Sequence, residues 1–408
     1  MKSGLSFLVA ARQCEIAELE QLAQTSELVG VIGRLIHAFQ RERGISNIFL
    51  ASQGRQFAGP RHQQVGLCET LQQEARAQFD VLDTDAKRLR NGARLFSRIA
   101  VVLHALDALG ELRQKIATLA LPPREATDAF VRLIAGLLAV VFEAADSATD
   151  PAISRALVAM FNFMQGKEFA GQERARGAAV FASGQVDAAT QLHWRHLIES
   201  QEACFQVFTD FSQGAPSTGA YARAEATVPP ELERLRRVGC TFNGSSSLHP
   251  TLSQIWYECS TRRIDAMKVA EDLLAVNLRR LCETRISQAR AELRDQQAIL
   301  EALSRQASAA PLEAARYGPN LERSILEMVQ EQSLRLQAMS EQLDTVRAAL
   351  NERKLVERAK GLLMIHRRLS EQDAYKTLRQ MAMNQKRRLA DVAEAVLSMA
   401  DVLPGQPP

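Results

Sequence analysis

Apolar residues recur every three or four positions along most of the chain. Residues 15–52, 63–119 and 128–142 show this spacing most clearly, and the strand-like alternation of apolar and polar residues is nearly absent. Apolar side chains at this spacing share one face of a helix and pack against neighbouring helices. The pattern therefore predicts an all-α protein in which amphipathic helices form bundles.

Clusters of glycine, proline and small polar residues interrupt this pattern and predict the helix boundaries. The clusters lie at residues 54–60, 121–124, 150–151, 213–230, 239–250 and 309–319. We expect the two middle clusters to be loops and residues 217–227 to be a flexible connection. Ser147 and Asp150 are suitable N-caps for a helix that begins at Pro151 and is expected to continue through Met164.

A second apolar seam lies nearer the C-terminus. Its members are Ile325, Val329, Gln332, Leu336, Met339, Leu343, Val346 and Leu350. About four heptads with one polar member favour a coiled coil, which would pair two chains in a homodimer. An ordinary long helix of a bundle is the alternative, because the two patterns differ little over this length.

Composition and charge narrow the classes of function. The 408 residues suggest two or three domains, and a net charge of +3 means that any polyanion must be met by a local basic patch. The six cysteines are scattered singly, which favours a reducing cytoplasm over a disulfide framework or a zinc site. The strongest apolar run, residues 133–142, is too short to cross a bilayer, so neither a membrane span nor an export signal is expected.

Two arginine segments lie within otherwise apolar, small-residue helices. They read QRERG at residues 40–44 and QERARG at residues 172–177. A buried guanidinium group is costly without an anion, and either Glu42 and Glu173 or a bound ligand could supply one. The planar donor fork of arginine matches a small trigonal oxyanion, and the adjacent glycine permits a close approach. From the residues alone, structural ion pairs and a ligand site both remain open.

Several motifs resemble the nitrate- and nitrite-sensing (NIT) family over roughly residues 30–305. They lie at residues 39–52, at 166–177, which begin with Gly-Lys-Glu, and at 230–241. The resemblance implies an all-helical pair of bundles with a nitrate pocket between them, lined by arginines. It gives Arg43 and Arg176 as the first candidates for contact with nitrate or nitrite, followed by Arg236. Arg41 and Arg174 are second choices, because surface ion pairs are an alternative role for them.

The segment from Asn351 to the C-terminus carries a local excess of positive charge. Eleven basic residues oppose seven acidic ones there, and the apolar residues predict three short helices. Ser370 is expected to cap one helix, and the last is expected to end at Ala400. Gly361 lies inside a predicted helix, where its cost of about 1 kcal/mol suggests tight packing.

This basic segment is suited to RNA, because lysine and arginine contact phosphates and Tyr375 could stack on an unpaired base. A solvated basic face with Tyr375 in the core is the alternative. The segment resembles the ANTAR family of RNA-binding modules through Ala359-Lys360-Gly361, Leu363-Met364, Ala374-Tyr375, Arg379 and Ala382-Met383. The resemblance implies paired leader RNA hairpins as the target. The implied RNA contacts are Lys360, Tyr375, Lys376 and Arg379, with Lys354, Arg358 and Arg367 as auxiliary phosphate contacts.

The sequence thus predicts a sensor at residues 1–310, a coiled-coil linker at 320–350 and an RNA-binding module at 351–403. We expect a nitrate- or nitrite-responsive antitermination regulator that acts on the transcription complex indirectly, with no cofactor, metal or catalytic residues. His193 and His196 form an HxxH pair, but no acidic or cysteine ligands lie near them in the sequence. The alternative function is a helical interaction protein that responds to another small anion and has no RNA target.

Overall fold

The computed structural model describes residues 4–82, 92–184, 186–212, 216–226, 230–241, 251–308, 319–367, 369 and 371–400. Every regular element in these ranges is a helix, which confirms the all-α class. The helices are α1 (Gly4–Ala51), α2 (Ala58–Val81), α3 (Gly92–Asp107), α4 (Leu109–Ala117), α5 (Pro123–Ser147), α6 (Pro151–Ser183), α7 (Ala188–Phe211), α8 (Pro216–Ala226), α9 (Pro230–Thr241), α10 (Thr251–Ser308), α11 (Pro319–Arg367), α12 (Glu371–Gln385) and α13 (Leu389–Ala400).

The chain divides into two compact units, Met1–Ala338 and Met339–Pro408. In the larger unit, α1 packs against α2, α5 and α10, while α6 packs against α7 and α10. Helices α8 and α9 cover other parts of α10, and α3 lies on α5. Helices α1, α6 and α10 therefore form the centre of the larger unit, because each contacts the other two.

Large aromatic side chains fill the core of the larger unit. Phe163, Phe181, Trp194 and Trp256 are completely buried, and the two tryptophan rings lie 5.1 Å apart between centroids. Burial of side chains of this size is a main source of stability in a helical protein. Among the described helices, none combines the length and apolar character needed to cross a membrane.

The start of α6 follows the predicted capping pattern. The Asp150 carboxylate accepts hydrogen bonds from the backbone nitrogens of Ala152 and Ile153, both at 2.9 Å. Pro151 occupies the first turn, where its missing N–H costs nothing. The predicted end at Met164 is wrong, since apolar and small residues continue the helix for five further turns. Helix α6 ends at Ser183, and Gly184 follows in the left-handed conformation with φ of 66°.

Some of the other predicted helix boundaries are confirmed and one is wrong. The loop expected at residues 213–230 contains helix α8, whose segment Ala220–Ala226 is rich in good helix formers. The breaks near residues 54–60 and 121–124 are confirmed, because α2 begins at Ala58 and α5 at Pro123. Residues 242–250, 309–318 and Ser370, on which further predictions rest, lie outside the described residues.

The predicted coiled-coil seam lies within the single long helix α11. The side chains of its first two members are outside the described residues; Leu336 is 58% exposed, whereas Leu343, Val346 and Leu350 are buried. Within one chain, some described side chains of the seam are therefore exposed and others are buried. Pairing of two chains through it stays a prediction.

The smaller unit has its own apolar core. Buried residues of α11, α12 and α13 form it, namely Ala359, Leu363, Ala374, Leu378, Ala382, Val392, Ala393 and Val396. Its last two helices are short and the final one ends at Ala400, as predicted. The first predicted helix is not short, because it is the C-terminal part of the 49-residue helix α11. The tight packing expected at Gly361 is wrong, since no atom of the described residues lies within 4 Å of an added Cβ there.

Candidate functional site

Helices α1 and α6 approach each other closely at two glycines. A Cβ atom at Gly171 would lie 2.8 Å from Nη2 of Arg43. A Cβ atom at Gly44 would lie 3.4 Å from Nη2 of Arg174 and 3.7 Å from the hydroxyl of Tyr257. The absent side chains therefore leave the space in which two guanidinium groups lie, one from each helix.

The first of these groups, on Arg43, is oriented by a carboxylate. Arg43 is only 3% exposed, and its Nη1 and Nη2 donate to the two oxygens of Glu168 at 2.5 and 3.2 Å. Glu168 also accepts hydrogen bonds from Gln40 and Gln172, each at 2.9 Å. A bidentate pair with supporting donors fixes the plane of the Arg43 guanidinium.

The second group, on Arg174, is buried to a similar degree but lacks such a carboxylate. Its Nη1 donates to Oγ1 of Thr261 at 3.0 Å, and its guanidinium carbon lies 5.1 Å from the ring centroid of Tyr257. No carboxylate among the described residues lies within ion-pairing distance of Arg174. Burial lowers the pKa of Arg174, and the charge of Arg43 acts in the same direction, whereas Tyr257, Asp265 and Glu168 partly oppose this shift. A buried cation in this position has unused donors and favours an added anion.

A further polar group lies on the same three helices. The side chain of Lys167 is completely buried and forms an ion pair with Glu271, with Nζ 2.5 Å from Oε2. Burial, together with the charges of Lys167, Lys268, Arg41 and Arg174, lowers the pKa of His37 to about 2. His37 is therefore neutral at physiological pH, and its buried Nδ1 has no hydrogen-bond partner among the described residues.

Arg236 belongs to a separate buried network. Its Nε and Nη2 donate to both oxygens of Glu173 at 2.8 and 2.7 Å, and its Nη1 donates to Glu233 at 2.7 Å. Trp194 and Gln201 also donate to Glu173. Burial alone would raise the pKa of Glu173, but the charge and hydrogen bonds of Arg236 outweigh it and lower the pKa. All three guanidinium nitrogens of Arg236 thus donate to carboxylates of the protein.

Arg176 and Arg41 are placed differently from the arginines above. The charged neighbours that act most on the pKa of Arg176 are Arg124, Asp128 and Asp187, and burial lowers this pKa. Arg41 is exposed on α1. The predicted convergence of Arg43 with Arg176 is therefore not what the structure has, because Arg174 approaches Arg43 instead.

Several residues of this site, His37 among them, were not assigned from the sequence. Glu168 and Lys167 lie in a motif that carried the family resemblance, but no role was inferred for them. Thr261 and Tyr257 lie on α10, more than 80 residues from Arg174, and nothing in the local sequence signals their position. Glu42, considered as a partner for the first arginine segment, instead pairs with Arg113, whose Nε and Nη2 donate to it at 2.8 Å.

The smaller unit presents most of the predicted RNA contacts at its surface. Arg358, Arg367, Lys376 and Arg379 are exposed, and Lys354 and Tyr375 are half-buried. The side chain of Lys360 is only 10% exposed, and its Nζ lies 2.9 Å from Oε1 of Glu357. The exposed cations are suited to phosphate contacts, whereas Lys360 lies mainly against its own unit.

The HxxH pair does not form part of a metal centre in the described ranges. The rings of His193 and His196 lie 6.4 Å apart between centroids. No group of three or more histidine, cysteine or acidic side chains there could hold a metal ion. Burial and the charge of Arg176 lower the pKa of His193 to about 4.

Comparison with known proteins agrees with this architecture. A family model described as nitrate and nitrite sensing (NIT) matches residues 34–279, and the ANTAR domain model matches residues 344–397. The nitrate regulatory protein of Klebsiella oxytoca is 34% identical over 398 residues, which cover 97% of this chain and 95% of that protein. The solved structure of the NasR transcription antiterminator is 32% identical, with a TM-score of 0.64, and the match covers 97% of this chain and 99% of that one. The chain therefore belongs to the nitrate- and nitrite-sensing (NIT) family and carries a C-terminal ANTAR domain.

Proposed function

We propose that this regulator of transcription antitermination binds nitrate or nitrite between α1, α6 and α10, and that the bound anion controls RNA binding by its ANTAR domain. Membership of the NIT family and the ANTAR domain support the class of function. The location of the anion site rests on the geometry of the buried arginines. No step of this function requires chemistry on a substrate.

One observation carries the proposed site: Arg174 is 6% exposed, lies beside Arg43 and has no carboxylate partner among the described residues. Arg43 is paired with Glu168, whereas Arg174 has no such partner, so an anion beside Arg174 would compensate its charge and could also use the N–H groups that Arg43 does not give to Glu168. Nitrate and nitrite are small planar monoanions, and their oxygens suit the donor forks of guanidinium groups. Arg43 and Arg174 are thus the proposed ligand contacts.

The other predicted arginines receive different roles in this proposal. Arg236 holds α9 to α6 through Glu173 and thereby supports the bundle that carries Arg174. Arg176 and Arg41 stay outside the anion site, because one has other charged neighbours and the other is exposed. The neutral His37 is a candidate third donor, since its buried Nδ1 has no partner among the described residues.

Helix α10 is the proposed carrier of the signal. It supplies Tyr257 and Thr261 to the site and continues without interruption to Ser308. A ligand that contacts these two residues better in one position of α10 than in another would shift the helix toward that position. A coupling of roughly 1 to 3 kcal/mol suffices for a useful switch.

The proposed targets are paired hairpins in leader RNA, bound by the exposed cations Arg358, Arg367, Lys376 and Arg379. Lys354 and Tyr375 would add partly buried contacts, while Lys360 positions α11 through Glu357. We propose further that the chain acts in the cytoplasm as a homodimer paired through α11, and that it affects the transcription complex only through the RNA. The division into sensor, linker and RNA-binding module at 1–310, 320–350 and 351–403 belongs to the same proposal.

Titration calorimetry with nitrate, and separately with nitrite, tests the site. We expect binding by the wild type and a loss of at least tenfold in affinity for both Arg43→Ala and Arg174→Ala. Arg41→Ala removes the same charge from an exposed position on α1 and is the matched control. Arg174→Lys retains the charge without the donor fork and guards against a folding defect.

One more variant decides whether Arg174 or Arg176 contacts the anion. Arg176→Ala should retain wild-type affinity if the site lies at Arg43 and Arg174. A loss confined to Arg176→Ala would move the site to Arg176 and its neighbour Arg124. Equal affinity in all variants would abandon a guanidinium site in these helices.

A further inference from the structure

One face of α11 in the smaller unit combines positive charge with a glycine at which a Cβ atom would meet no atom of the described residues within 4 Å. Lys354, Arg358, Gly361 and Ile365 follow one another at intervals of four, three and four residues, so they share one stripe of the helix. Arg358 is exposed, and Ile365 is 78% exposed. We name these four residues the glycine stripe.

Nothing among the described residues accounts for a glycine at position 361. It is not among the described glycines with positive φ, and it lies six residues before the end of α11, so neither a turn nor a helix cap requires it. A Cβ atom there would meet nothing within 4 Å among the described residues. Glycine in a helix interior is unfavourable, and the close approach of another molecule is one physical reason for it that the described residues leave open.

The surroundings of Gly361 indicate what approaches it. One turn before it, Arg358 offers a positive charge to solvent, and the nearby negative charge of Glu357 is paired with Lys360 at 2.9 Å. An open glycine alone is no sign of a site, because Gly66 on α2 is equally open. Within four residues of Gly66, however, there is no lysine or arginine, and the neighbours on its face are His62, Gln63, Glu69 and Thr70. Charge complementarity therefore favours a polyanion at the glycine stripe.

We propose that the sugar-phosphate backbone of the bound RNA lies directly against α11 at Gly361, with Arg358 and Lys354 contacting phosphates on the same stripe. This inference rests on the proposed RNA-binding function and adds the face and the position of closest approach. A glycine lets such a backbone approach the helix axis more closely than a residue with a Cβ atom would. Ile365 would cover the apolar side of a ribose at the end of the stripe.

The decisive variant separates stability from binding. In Gly361→Ala, the new methyl group meets no atom of the described residues within 4 Å and improves helix propensity, so the folded-to-unfolded ratio should rise about fivefold. Its affinity for RNA should nevertheless fall by about tenfold or more, and Gly361→Leu should bind still more weakly. A variant that becomes more stable while losing affinity cannot be explained by misfolding.

The experiment uses the full chain with nitrate and a labelled RNA that carries two paired hairpins. Gly66→Ala is the matched control, because it should also raise the thermal midpoint but leave RNA affinity unchanged. Arg358→Ala should weaken RNA binding and reduce the slope of log affinity against log salt by about one. Light scattering on each variant measures the oligomeric state.

The outcomes separate this inference from the proposed function. Wild-type RNA affinity in Gly361→Ala would overturn the inference alone. A changed oligomeric state in that variant at unchanged RNA affinity would assign the stripe to a second copy of the chain. Absence of RNA binding by the wild type itself would overturn both the inference and the RNA target.

Discussion

The guanidinium carbon of Arg174 lies 5.1 Å from the ring centroid of Tyr257, so an aromatic face covers a buried cation that has no carboxylate partner among the described residues. This contact joins α6 to α10 at the proposed anion site. The ring stabilises the positive charge without neutralising it. The charge therefore stays available to a bound anion.

Replacement of Tyr257 tests whether the ring holds Arg174 in its binding position. Tyr257→Leu should weaken nitrate binding roughly two- to thirtyfold, the range expected for loss of a cation–π contact of about 0.5 to 2 kcal/mol. Tyr257→Phe keeps the aromatic face and should bind nearly as well as the wild type. Calorimetric titration measures both, and equal loss in the two variants would assign the effect to the hydroxyl instead of the ring.

Loss of Arg236 should destabilise the sensor strongly at neutral pH. Arg236→Ala leaves the buried Glu173 carboxylate without its bidentate partner, and the expected cost is about 3 to 5 kcal/mol in the free energy of unfolding. Urea unfolding at pH 7, followed by the fluorescence of Trp194 and Trp256, measures this cost.

The same variant should reverse the contribution of Glu173 to the pH dependence of stability. In the wild type the pKa of Glu173 is lowered, so its contribution is present above the ordinary carboxyl pKa and is lost as pH falls through the folded value. In Arg236→Ala, burial dominates and raises this pKa, so protonation on acidification relieves the cost. The difference in stability between wild type and variant should shrink between pH 7 and pH 5; a constant difference would contradict this assignment.

Two glycine substitutions should act in opposite directions. A Cβ atom at Gly177 would lie 2.3 Å from ring atoms of Trp256, which is itself completely buried, so Gly177→Ala should destabilise by about 1 to 3 kcal/mol or more. Gly66→Ala meets nothing within 4 Å and should stabilise by about 1 kcal/mol. Thermal unfolding of both variants, compared at equal protein concentration, measures the difference in sign.

Helical periodicity explains why the all-α class and the start of α6 could be predicted. Apolar spacing identifies a helix wherever one face is buried, and Asp150 with Pro151 marks a start through the chemistry of the first turn. Helix α6 continues beyond the predicted end at Met164 and contains Gly166 and Gly171. In the structure these glycines admit Phe205 and Arg43 and do not interrupt the helix.

The choice between Arg174 and Arg176 shows a second limit of the sequence. Positions two apart on a helix point to nearly opposite sides, and local sequence does not say which side faces α1 and α10. A usable signal was present, because Lys167, Gly171 and Arg174 are spaced by four and three residues and share one stripe. The contacts from Tyr257 and Thr261 depend on packing between distant segments, which no local pattern encodes.

The central claim is that an anion held by Arg43 and Arg174 controls RNA binding, and a gel shift with leader RNA carrying paired hairpins tests it most directly. The wild type should bind the RNA at least fivefold more tightly with saturating nitrate than without it, in line with a coupling of about 1 kcal/mol. Arg174→Ala should bind RNA with the nitrate-free affinity under both conditions, while Arg41→Ala should respond as the wild type does. A full nitrate response in Arg174→Ala would contradict the account.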